Sequence, residues 1–125
     1  MVLLIIDDDE DDIQSFKDAV GRIDSDIKVY SADGGEKGLE LLRSGIRPNY
    51  IFLDINMPGM NGKDVLMKIK QNQSWNGIQI FMNSTTFNPK EIQEYRKIGC
   101  NGFVVKAGGP KQLEKDIRLI IYSDR

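Results

Sequence analysis

The chain of 125 residues contains no histidine. This removes the commonest general base near neutral pH and the commonest nitrogen ligand for zinc. There is one cysteine, Cys100, which excludes an internal disulfide framework and fits a reducing, cytoplasmic setting. No apolar run reaches the roughly 18–20 residues that a membrane span needs. Residues 1–6 lack the basic start and the length of a secretory signal. No Pro/Gly/Ser-rich linker, low-complexity tract or fixed-period repeat divides the sequence, so a single domain is expected over 1–125. A net charge of -2 gives no reason to expect general affinity for nucleic acid or an anionic membrane.

What the chain does have is acid concentrated in one place. Five apolar residues, Val2 to Ile6, run directly into six acidic ones, Asp7 to Asp12. Further apolar runs recur at 27–31, 50–54, 78–83 and 102–105. Between them lie stretches with helical spacing, such as Ile13, Phe16, Val20 and Ile23, or Leu113, Ile117, Ile120 and Ile121. Gly21, Gly45 and Gly99 stand where helices should stop, and Pro89 and Pro110 where they should start. The pattern predicts five short parallel strands, buried on both faces and joined by helices: a doubly wound five-stranded α/β domain.

In such a fold all strands end at one sheet edge, and ligands bind there. Strand 1 hands over to Asp7 and Asp8, strand 3 ends in Asp54 followed by Asn56, strand 4 leads to Ser84, and strand 5 to Lys106. Carboxylates gathered at a rigid edge suit a hard divalent cation such as Mg2+, which takes oxygen ligands. Asp9 to Asp12 fall at the start of helix 1, where carboxylates cap N–H groups and face the positive end of the dipole. From residues 7–12 alone, a metal site and plain solvated helix-start charge are both open readings. Asp54 and Lys106 on other strand ends weigh toward the metal. A flavin phosphate is disfavoured, because the loop after strand 1 is acidic rather than rich in Ser, Thr or Gly.

The strings LLIIDD at 3–8, FLDINMPGMNG at 52–62 and VVK at 104–106, with Ser84 after strand 4, resemble the receiver domains of two-component response regulators, and most closely the single-domain chemotaxis type. Ser84 lies 30 residues after Asp54 and Lys106 lies 52 after it, as the family pattern expects. The resemblance spans essentially the whole chain. It implies a flavodoxin-like sheet in strand order 2-1-3-4-5 with five helices. By resemblance, Asp54 is the phosphoacceptor, Asp8, Asp54 and the backbone carbonyl of Asn56 hold Mg2+ directly with Asp7 acting through water, and Lys106 pairs with the acceptor or its phosphate. Ser84 and Phe103 form the switch, and Asn56 and Thr86 set the lifetime of the phosphoryl group. The implied donor is a histidine kinase or a phosphotransfer protein. The phosphorylated surface would be read by a separate protein target, since no output domain follows residue 121.

Two departures from the family stand out. The usual proline after the strand-5 lysine is Ala107, followed by Gly108 and Gly109, and Asn83 replaces an apolar residue. A cis bond costs about 2.5–4 kcal/mol before a residue other than proline, so a trans Lys106–Ala107 bond is expected, with the loop routed through the two glycines. Two other functions compete with a phosphotransfer module that is not a turnover enzyme. A phosphate-independent interaction domain would normally lack Asp8, Asp54 or Lys106. An aspartyl-phosphate hydrolase would normally carry an acid at position 56, where this chain has Asn56.

Overall fold

A computed structural model describes residues 1–123. Five parallel strands form one sheet: β1 (Val2–Ile6), β2 (Lys28–Ala32), β3 (Tyr50–Asp54), β4 (Gln79–Ser84) and β5 (Gly102–Val105). Their order is β2-β1-β3-β4-β5, flavodoxin-like and as expected. Helices α1 (Glu10–Ile23), α2 (Gly35–Arg43), α3 (Gly62–Lys70) and α4 (Pro89–Ile98) provide the crossovers, and α5 (Gly109–Tyr122) follows β5 and packs beside α1.

The continuous apolar strands are explained by two cores, one on each sheet face. Leu3 and Ile5 of β1, with Tyr50 and Phe52 of β3, pack against Phe16, Ala19 and Val20 of α1 and Ile117 and Ile121 of α5. Leu4, Ile6, Ile51 and Leu53 point the other way, onto Leu39, Leu42, Val65, Leu66 and Ile69 of α2 and α3. The period-2 alternation of strand side chains thus fills both layers from the same residues' neighbours.

Local signals set most helix ends. Asp9 caps α1, its side chain accepting from the N–H groups of Asp11 and Asp12. Asn61 and Asp64 form a reciprocal capping box on α3. Asn88 caps α4, Pro89 occupies its first turn, and Gly99 ends it at φ 122°. Gly21 does not stop α1, contrary to the sequence expectation. The helix continues through Ile23, which packs against the α1/α5 core, and the Asp24 N–H closes on the Val20 carbonyl. Strands β2 and β4 begin one residue later than expected, at Lys28 and Gln79, because pairing with Met1–Val2 and Asn49–Tyr50 decides their start. Among the described residues no helix is long and apolar enough to cross a membrane.

Candidate phosphoacceptor and metal site

Strand register brings the polar residues together. Ile6 pairs with Leu53, Asp54 with Asn83, and Ser84 with Val105, so the strands finish nearly level. The next residues of β1 and β5 are Asp7 and Lys106, anchored by Asp7 N–H to the Ala32 carbonyl (3.0 Å) and Lys106 N–H to the Ser84 carbonyl (2.8 Å). Alternation then sorts the side chains. Asp7, Asp54, Asn83 and Lys106 share parity with Ile5, Phe52, Phe81 and Val104, whose side chains belong to the α1/α5 layer. Ser84 shares parity with Met82, which pairs with Phe103, and both Met82 and Phe103 belong to the α2–α4 layer. The charged row and the hydroxyl–aromatic pair therefore lie on opposite sides of the same edge.

At the centre is the ammonium of Lys106. It donates to Asp7 Oδ2 at 2.8 Å, Asp12 Oδ2 at 3.1 Å and Asp54 Oδ1 at 3.1 Å. Asp7 and Asp54 are buried, and Asp12 is part-exposed. Buried carboxylates without a counter-ion would be very unfavourable, and Lys106 supplies one. Burial, followed by the charge of Asp7, pushes Asp54 up to about 6, against the pull of Lys106 and of a backbone hydrogen bond from Asn56. Burial pulls Lys106 down, but its hydrogen bond and attraction to Asp7, with help from Asp12 and Asp54, hold it above the ordinary lysine value.

Asp7, Asp8 and Asp54 each offer a carboxylate oxygen within 4.8 Å of the others. Three such oxygens, two on buried residues and one exposed toward solvent, fit an oxygen-preferring divalent cation that keeps some of its water. Asn56 stands two residues past Asp54, after Ile55, and its side chain is exposed, as is that of Thr86. Ser84 is buried, and its Oγ accepts from the Thr86 N–H at 3.4 Å. Phe103 is half-buried, edge-on to Phe87 (centroids 5.0 Å apart, 74° between planes), with the Arg96 guanidinium 5.6 Å from its ring centre.

Gly62 does more than shape a loop. A Cβ there would lie 2.4 Å from the Asp54 carbonyl oxygen and 2.8 Å from Ile55 Cα, so α3 starts against the backbone that carries Asp54 only because residue 62 has no side chain. At the far side of the site no described peptide bond is cis, so Lys106–Ala107 is trans. The chain turns into α5 through Gly108 (φ 101°) and Gly109 (φ 77°), in the left-handed region where glycine is at ease.

Two residues of the site were not anticipated in these roles. Asp12 was expected only as helix-start charge, yet it reaches Lys106. Asn83 was noted as a departure, and strand parity, which places it on the Asp54 side, could have flagged it.

Comparison with known proteins agrees with this geometry. A family model described as response regulator receiver domain matches residues 3–118. The chain is 27% identical over 121 residues to chemotaxis protein CheY1 of Helicobacter pylori, covering 97% of each. Among solved structures it is similar to chemotaxis protein CheY4 of Vibrio cholerae, with a TM-score of 0.83, 26% identity, and coverage of 94% of this chain and 95% of that one. It is also similar to the Mn(2+)-bound form of response regulator Rcp1 of Synechocystis, with a TM-score of 0.83, 25% identity, and coverage of 95% of this chain and 90% of that one.

Proposed function

The chain belongs to the response regulator receiver domain family of two-component signalling proteins, and from that premise we propose that it is a phosphorylatable receiver over residues 1–125 that takes a phosphoryl group on Asp54. The observation that carries this reading is the setting of Asp54: a buried carboxylate at a strand end, 3.1 Å from a lysine ammonium and grouped with Asp7 and Asp8.

An Asp54 oxygen attacks the phosphorus of a phosphohistidine on a histidine kinase or phosphotransfer protein. The P–O bond forms as the P–N bond breaks, and the electron pair returns to the imidazole nitrogen. Asp7, Asp8, Asp54 and the Asn56 backbone carbonyl would hold Mg2+, which when bound neutralises charge on the transferring group and aligns it. The Mn(2+)-bound relative supports a divalent ion of this kind. Lys106 supplies a compact positive charge to the acceptor and its phosphate. Ser84 donates its hydroxyl to a phosphate oxygen, and Phe103 moves with it, a two-state element biased by local chemistry. Asn56 and Thr86, both exposed beside the acceptor strands, govern the approach of hydrolytic water and so the lifetime. The setting is cytoplasmic, and the downstream reader is a protein rather than nucleic acid or a membrane.

Acetyl phosphate with Mg2+, followed by intact mass measurement, tests the reading. The wild type should gain roughly 80 Da, one PO3H unit, and Asp54→Asn should gain nothing. An unmodified wild type, or an equally modified Asp54→Asn, overturns it.

A further inference from the structure

The Lys106 ammonium has three donors, and it spends them on three carboxylates. Two of these, Asp7 and Asp54, belong to the group that fits a divalent cation. The third, Asp12, does not. It stands in the first turn of α1, on a helix whose cap is made by Asp9, so the fold does not need Asp12 for capping. A dication and an ammonium that share Asp7 and Asp54 repel each other and compete for the same oxygens. When Asp7 and Asp54 turn to the cation, Asp12 is the carboxylate that, among the described residues, still faces Lys106 from outside that group. The lysine cannot simply be released, because its charge is wanted beside Asp54 during phosphoryl transfer.

We propose that Asp12 is a positioning residue for Lys106: it keeps the ammonium beside Asp54 while Asp7 and Asp54 give up its hydrogen bonds to a divalent cation. This rests on the metal-assisted receiver reading above. Without Asp12 the ammonium has only Asp7 and Asp54 to hold, binds them more fully, and so opposes the cation. The contact is part-exposed on the Asp12 side, with 43% of that side chain accessible, so the effect is modest. An Asp12→Asn change should weaken Mg2+ binding about 2- to 5-fold.

Loss of one negative charge would by itself weaken Mg2+ binding, so the test must separate contact from field. Asp11 lies beside Asp12 in the same helical turn and makes no side-chain contact with Lys106 among the described residues. The experiment is a MgCl2 titration of the whole chain, followed through the amide chemical shifts of Asp8 and Asn56, for the wild type, Asp12→Asn, Asp11→Asn, Asp12→Glu, Lys106→Met and the Asp12→Asn/Lys106→Met double variant. Asp12→Asn should raise the Mg2+ midpoint clearly more than Asp11→Asn does. Asp12→Glu should restore most of the affinity, and the extra loss should vanish in the Lys106→Met background. Should that background unfold, the comparison of Asp11→Asn, Asp12→Asn and Asp12→Glu still decides the matter. Equal shifts for Asp11→Asn and Asp12→Asn, or tighter binding by Asp12→Asn, overturn the positioning role and leave the receiver reading intact. A wild type that does not respond to Mg2+ removes both.

Discussion

The Oδ1 atom of Asn83 is buried beside the carboxylate row and has no hydrogen-bond partner among the described residues. A buried acceptor left unpaired costs about 1–3 kcal/mol, whereas an apolar side chain of the same shape carries no such penalty. Asn83→Leu keeps the branched heavy-atom skeleton of Asn but carries bulkier methyls, so it should stabilise the protein by up to about 1–3 kcal/mol less the cost of fitting them, read as a higher urea midpoint at unchanged slope. A lower midpoint would mean that the amide makes an interaction worth more than its burial. Receivers usually carry an apolar residue here, and a lone amide inside an apolar run leaves little trace in the sequence. Hydrophobic patterning averages over a strand, while the cost of Asn83 depends on a single atom.

Helix α1 shows where a local signal yields to packing. Gly21 reads as a stop, yet the helix runs two residues further because Ile23 still has a core to cover. Gly21 itself is exposed, is absent from the positive-φ glycines, and a Cβ there would meet nothing within 4 Å. Gly21→Ala should thus gain about 0.5–1 kcal/mol, from helix propensity and a less flexible unfolded chain, and the melting temperature should rise accordingly. A fall would show that the exposed face near residue 21 is already engaged. The bounds of β1, β3 and β5 were legible because their apolar runs coincide with the paired residues. Those of β2 and β4 were displaced by one because Ile27 and Ile78 are apolar yet lie just before the ladder. The 3-10 turn Gln73–Trp75 was not legible, since one turn is too short to show a period. The same distinction holds at the site. Asp7, Asp8, Asp54 and Lys106 could be read because each follows an apolar run, but the Asp12–Lys106 contact joins residues 94 apart and depends on the Lys106 side chain reaching from the end of β5 to the first turn of α1.

At the scale of the whole molecule, the site makes stability depend on pH in a direction opposite to the usual carboxylate. A paired surface acid such as Glu114, held below its ordinary value by its hydrogen bond to Arg22, contributes stability that is lost as pH falls. Asp54 is different, because burial and then Asp7 lift it to about 6 in the metal-free fold. An unfolded aspartate titrates near ~3.9. The folded state therefore holds the Asp54 proton more tightly than the unfolded state does. Its contribution is fully present below about pH 4 and is lost as pH rises through about 6, which leaves the metal-free protein less stable at pH 7 by about 3 kcal/mol. Mg2+ favours the ionised carboxylates, so millimolar Mg2+ should offset that loss, and its stabilising effect should grow from pH 4 to pH 7. In Asp54→Asn the titrating group is gone, so the metal-free variant should match or exceed the wild type at pH 7, and its advantage should shrink toward pH 4. Melting curves in EDTA and in MgCl2 across this range measure both trends. Parallel wild-type and Asp54→Asn profiles in EDTA, with an Mg2+ effect that does not change with pH, would mean that Asp54 does not titrate above an ordinary carboxylate in the folded protein.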